Sequence, residues 1–288
     1  VRRFLAPLII ALAVVALFAF IAYDTFSGGL SAGLDDIDDS ITDAELSTLE
    51  EFDGFDDAQV FDVLDDASLD PAPEGLTAEI WNTWVQLAGA EAVAATMTQY
   101  RVIESESSSL LAYVYNESDR QRFTLAVNLA AASDDVLLLS TLVHEWSHVF
   151  SLTSDQFEPE TAFADPALCA TIQLLEGCAL PEAYLWQFYE RFWTAYSKHP
   201  DIMNQAPAIA ADFYAANAGD FVSEYAATNL LEDFAESFTY FVRSDDLADL
   251  PELSEVAVDK VQFFGEFAEL VDLRDHMRSV AAEQLGAG

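Results

Sequence analysis

Thr141-Leu-Val-His144-Glu145-Trp-Ser-His148-Val-Phe150 contains a His-Glu-x-x-His pattern. On a helix the two histidines stand four residues apart and share one face, where two imidazoles can bind one zinc ion. Glu145 directly follows the first of them and can reach a water held by that ion. The helix itself is well specified. Ser133-Asp134-Asp135 offers caps and early negative charge, and Val136 to Phe150 has neither Gly nor Pro. Leu137, Leu138, Leu139, Leu142, Val143, Trp146, Val149 and Phe150 make it apolar on nearly every side, which predicts a buried helix. Buried histidines and a buried glutamate need partners, because unpaired polar groups are costly there. A metal supplies one; the plainer alternative is a set of core side chains joined by hydrogen bonds.

Before the helix, Leu110 to Tyr115 and Phe123 to Leu129 alternate like strands, with a turn at 116–120, and predict a β-hairpin. An extended peptide could add to such a strand, although no residue here requires it. Ile80 to Tyr100 reads as one helix. After it and the hairpin, Pro181 to Lys198 reads as an aromatic-rich helix, Pro207 to Ala216 as another, Asn229 to Arg243 as a strong helix, and Glu252 to Gln284 as one or two more. The aromatic stripe at 184–193 reads as core.

The chain carries 51 acids against 11 bases, a net charge of −40, with 52% hydrophobic residues. That is ample for a core and argues against nucleic acid as a partner, since phosphate binding needs basic surface. Phe4 to Tyr23 is an apolar run broken only by Pro7, preceded by Arg2 and Arg3. It reads as an uncleaved membrane anchor over residues 1–23, with a cleaved signal peptide as the alternative. Either places the remainder outside the cytoplasm, single-pass in the first case and secreted in the second. Residues 24–76 are rich in aspartate and read as an acidic, disordered tether. The aspartate spacing does not fit a calcium-binding EF-hand loop. Residues 77–288 form the folded domain. Cys169 and Cys178 are the only cysteines, and outside the cytoplasm such a pair predicts a disulfide. Free thiols are the alternative.

A zinc site with an open position needs a third protein ligand. The extended pattern HExxHxxGxxH is absent, with Ser151 and Ser154 at its last two positions. Asp155, Glu158 and Glu160 are nearby carboxylates. Further on, Glu232 and Glu236 in Tyr225-Ala-Ala-Thr-Asn-Leu-Leu-Glu232-Asp-Phe-Ala-Glu236 lie one helical turn apart on a common face. One can bind metal while the other orients a ligand histidine. Alternatively Asn229-x-x-Glu232 is a capping box and Glu236 ordinary helix surface.

HEWSH, followed by a tyrosine, six residues and EDFAE, resembles the gluzincin zinc peptidases, above all the family of the anthrax lethal factor catalytic domain. The resemblance implies an α+β, mostly helical, zincin-like domain: a small sheet, an active-site helix and a following helical lobe. It implies one Zn2+ held by His144, His148 and Glu232, Glu145 as general base, Tyr225 as a transition-state stabiliser and Glu236 in support. The activity it implies is hydrolysis of a peptide or protein substrate. A non-catalytic zinc-binding module and a metal-free structural domain are the alternatives. About eighty residues separate His148 from Glu232, more than the family resemblance implies, so substrate recognition does not carry over.

Overall fold

The computed structural model describes residues 58–106, 108, 110–116, 122–162, 164–199, 207–244 and 253–286. Its main sheet has five strands: Gln59–Val63 (β1), Leu69–Asp70 (β2), Met97–Ile103 (β3), Ala112–Asn116 (β4) and Phe123–Asn128 (β5), in the order β2-β1-β3-β5-β4. β3 and β5 run parallel, and the remaining pairs are antiparallel. All six residues of β5 are buried, as befits a strand flanked on both sides and covered on both faces. The anticipated hairpin is therefore present as β4 and β5, although the residues of its turn, 117–121, lie outside the described set.

The helices are Gly75–Ala88 (α1), Ala90–Thr96 (α2), Asp135–Ser151 (α3), Tyr184–Phe188 (α4), Pro207–Asn217 (α5), Leu230–Arg243 (α6), Glu255–Phe263 (α7) and Ala268–Gln284 (α8). α4 runs on as a turn of π-helix over Tyr189–Trp193. The architecture is mixed, mostly helical with small sheets, in agreement with the α+β expectation. α3 is capped by Asp134, whose side chain accepts from the Leu137 amide at 2.9 Å. It packs between the sheet and α6. Trp146 meets Trp84 of α1 edge-on at 5.3 Å between rings, and Phe150 meets Phe238 of α6 at 5.0 Å. Every residue from Thr141 to Val149 is buried. This is the all-round burial that its composition demanded.

Three expectations need correction. The helix read over Ile80–Tyr100 breaks at Gly89, whose φ of 87° is open to glycine alone at low cost, and from Met97 the chain is strand. Residues 58–76, placed within the acidic tether over 24–76, are part of the fold instead. β1 and β2 belong to the sheet, with Phe61 buried in the core and Asp62 accepting from Gln99 Nε2 at 3.0 Å. Residues 24–57 lie outside the described set. The single-pass membrane placement is also withdrawn. Among the described residues no helix is long and apolar enough to cross a membrane. The longest, α3 and α8, have 17 residues each, short of the roughly 20 apolar residues that a span requires. Residues 1–23, on which the expected anchor rested, are not described.

The stretch between α3 and α4 forms a second, three-stranded sheet from Phe157–Glu158 (β6), Gln173–Leu174 (β7) and Gly177–Ala179 (β8), in the order β6-β8-β7. Cys169 and Cys178 are disulfide-bonded as anticipated, with Cα atoms 5.7 Å apart, and the bond ties β8 to the segment before β7. Gly177 is required: at φ 133° a Cβ would lie 2.1 Å from the Glu158 carbonyl oxygen.

Candidate metal centre

α3 carries His144 and His148 one turn apart, and α6 crosses it so that Glu232 faces both. His144 Nε2 lies 3.1 Å from His148 Nε2 and 3.2 Å from Glu232 Oε2, and His148 Nε2 lies 3.6 Å from that same oxygen. A tetrahedral zinc centre with bonds of about 2.0–2.2 Å has edges of about 3.3–3.6 Å. The three atoms thus form one face of a coordination tetrahedron. Among the described residues these three side chains are the group whose donor atoms converge at metal-binding distance. Asp155, Glu158 and Glu160 are not buried and stand apart from it.

Local sequence explains how Glu232 arrives there. Asn229 caps α6, accepting from the Leu231 and Glu232 amides at 2.8 and 3.1 Å. The cap anticipated at Asn229 is real, but the Glu232 carboxylate turns to the histidines. One turn on, Glu236 Oε1 lies 3.1 Å from His144 Nδ1, and its other oxygen accepts from Ser223 Oγ at 2.6 Å. Glu236 is 1% exposed, so it is not helix surface.

His144 therefore has a carboxylate on each ring nitrogen. Burial pushes its imidazolium down, but the Glu232 and Glu236 hydrogen bonds and the Glu145 charge outweigh that and lift its pKa to about 10. Burial works against the Glu232 carboxylate too, yet the two histidines hold it down at about 2. His148 is depressed, chiefly by burial. In the protonated form that this raised pKa favours, His144 Nε2–H faces Glu232 at 3.2 Å and Nδ1–H faces Glu236 at 3.1 Å. A divalent cation fits in place of the Nε2 proton, since both partners are then metal donors and Nδ1–H still has Glu236 to bond.

Glu145 Oε2 accepts from the Val114 amide of β4 at 2.9 Å. Its Oε1 is buried and finds no hydrogen-bond donor among the described residues. Burial, with some help from Glu232, raises its pKa to about 8 against the pull of His144 and the Val114 amide. Tyr225 begins a short helical turn packed beside α6, and its ring lies 6.0 Å from that of His144. Burial and the surrounding carboxylates raise its pKa well above the ordinary value, so the hydroxyl keeps its proton.

All six expected residues of the site thus lie together: His144, Glu145, His148, Tyr225, Glu232 and Glu236. Sequence reading missed Ser223 and Val114. Ser223 bonds Glu236 and also accepts from the Ala226 amide at 3.0 Å, tying the tyrosine turn to the cluster. Its place two residues before Tyr225 gave a weak signal. Val114 acts through its backbone and gave none.

No protein-family model, no curated protein and no solved structure matches this chain.

Proposed function

We propose that this chain is a zinc-dependent peptidase of gluzincin type, built on a zincin-like domain. The observation that carries the reading is the convergence of His144 Nε2, His148 Nε2 and Glu232 Oε2, with Glu145 and Tyr225 beside them. Two imidazoles and one carboxylate form a donor set suited to zinc. A zinc ion held there supplies Lewis acidity towards a water and a substrate carbonyl.

The protein's own groups do the rest. Glu145 is fixed through Oε2 by the Val114 amide, which leaves Oε1 to accept the proton of the attacking water. The same carboxyl returns that proton to the amine nitrogen as the C–N bond breaks. The Tyr225 O–H donates to the carbonyl oxygen as negative charge builds on it. Glu236 and Ser223 hold the His144 ring in one orientation. Among the described residues β4 is the edge strand of the sheet, next to Glu145, which favours an extended peptide as substrate.

A second reading, a closed metal site without catalysis, draws on burial: His144, Glu145, His148, Glu232 and Glu236 are each at most 1% exposed. One experiment separates the two. Untagged protein is incubated with a peptide mixture, with and without chelator and added zinc. The peptidase reading expects cleavage that chelator removes and zinc restores, and that Glu145→Gln loses while retaining its metal. Bound zinc without any cleavage favours the closed site. Cleavage that survives both chelation and Glu145→Gln overturns the proposal.

A further inference from the structure

The chain has only two lysines, Lys198 and Lys260. Lys260, on α7, is fully buried and has no task in the chemistry above. Its ammonium lies 2.8 Å from Asp233 Oδ2 and 3.6 Å from the centre of the Phe221 ring. Trp193 Nε1 donates to the same Asp233 oxygen at 2.8 Å. The Tyr196 ring lies farther off, at 5.9 Å; the two nearer partners, Asp233 and Phe221, stand close in sequence to residues of the metal centre. Asp233 is the residue after Glu232, in the first turn of α6. Phe221 precedes Ser223 by two residues and Tyr225 by four. One cation therefore grips both segments that bring groups to His144, one carrying Glu232 and the other carrying Ser223 and Tyr225.

A buried ion pair is weak evidence of stabilisation for its own sake, since apolar side chains of similar volume are often as stable in its place. Its attachments are directional instead: an ion pair and a cation–π contact fix where two backbones stand relative to each other. We infer that Lys260 is a positioning residue, locking the Phe221–Tyr225 segment against the first turn of α6 so that Tyr225 and Glu232 stay in register on His144. This inference rests on the peptidase reading for its kinetic consequence, but not for its structural one.

The test removes the pair without stranding a charge, in Lys260→Met/Asp233→Leu. Three quantities are read: hydrogen exchange at the Ala226, Ala227 and Thr228 amides, zinc affinity by chelator competition, and kcat and KM on a cleaved peptide. Those amides bond within the segment at 3.0 Å each. Expected are exchange faster by about tenfold or more at these amides, unchanged exchange in α3, and kcat lower by about 10–100-fold with KM little moved. Zinc affinity should fall with them, because Glu232 loses its register. Adding Tyr225→Phe should then cost far less than it does in the parent. A well-folded double variant with parental exchange and kcat overturns the inference, as does a full additive cost of Tyr225→Phe. Should the double variant fail to fold, Phe221→Leu removes only the ring contact. It should shift exchange and kcat in the same direction by a smaller factor, and parental values there overturn the inference. Absence of zinc-dependent cleavage in the parent sinks the peptidase reading alone, and the exchange data still decide whether Lys260 orders the segment.

Discussion

Glu232 and Asp233 are neighbours on α6, both fully buried, and they meet opposite electrostatic surroundings. Asp233 faces the Lys260 ammonium at 2.8 Å, a counter-ion built into the chain. Glu232 faces two imidazoles, with the carboxylates of Glu145 and Glu236 close by. Asp233 thus has a fixed counter-charge in direct contact, with Asp220 as a further carboxylate acting on the same ammonium. Around Glu232 three carboxylates share two histidines, one of which is depressed by burial. Low dielectric makes such an imbalance costly unless a further cation enters. The same helix thus presents a closed ion pair on one side and a cation-seeking cluster on the other, and only the second has its donors at metal-ligand spacing.

The largest expected effect falls on the cation-seeking side. Glu145→Gln should lower kcat by about 10²–10⁴-fold, because it removes the proton acceptor and keeps the three ligands. Peptide cleavage assayed with zinc content measured in parallel checks this. On the closed side, Lys260→Met should lower stability by about 3–5 kcal/mol, since it leaves Asp233 buried without its partner. Chemical denaturation of the zinc-free chain reads that loss, and the parent measured alongside sets the scale. A smaller effect is expected from Glu236→Gln, which weakens the group holding the His144 ring. Zinc affinity should fall by about 10–100-fold in chelator competition.

The mildest test is pH. The metal-free His144 pKa is raised from 6.5 to about 10. Its contribution to the stability of the zinc-free fold is therefore fully present below about pH 6.5 and is lost as pH rises through about 10. Zinc has to displace the same proton, so its affinity should rise with pH across that interval, by up to about tenfold per unit. An affinity flat between about pH 7 and pH 9 would show that no proton leaves His144 on binding.

Much of the centre was legible because its signals are local. An i, i+4 histidine pair on an all-apolar helix and a glutamate pair on the next strong helix constrain one another once each is buried. Asn229 misled only in part: its cap is made through backbone amides, which leaves the Glu232 side chain free to turn inward. The sheet was less legible. Ala90 to Thr96 is alanine-rich and runs into Met97 without a proline, so the start of β3 is set by pairing with β1 and β5 rather than by local preference. β1 hides in an acidic stretch because a half-exposed strand needs only one inward side chain, here Phe61, for its core face. Lys260 carried no signal at all. Nothing in α7's sequence says that its ammonium meets Asp233 and Phe221, which are distant in the chain.

The claim that His144, His148 and Glu232 form one metal centre is tested most directly by elemental analysis of protein purified without a histidine tag, side by side with Glu232→Ala. One zinc per chain is predicted for the parent, with marked loss in the variant while its fold, read by circular dichroism, is kept. A parent chain that stays metal-free after equilibration with zinc, or a folded variant that retains one tightly held zinc, would contradict it.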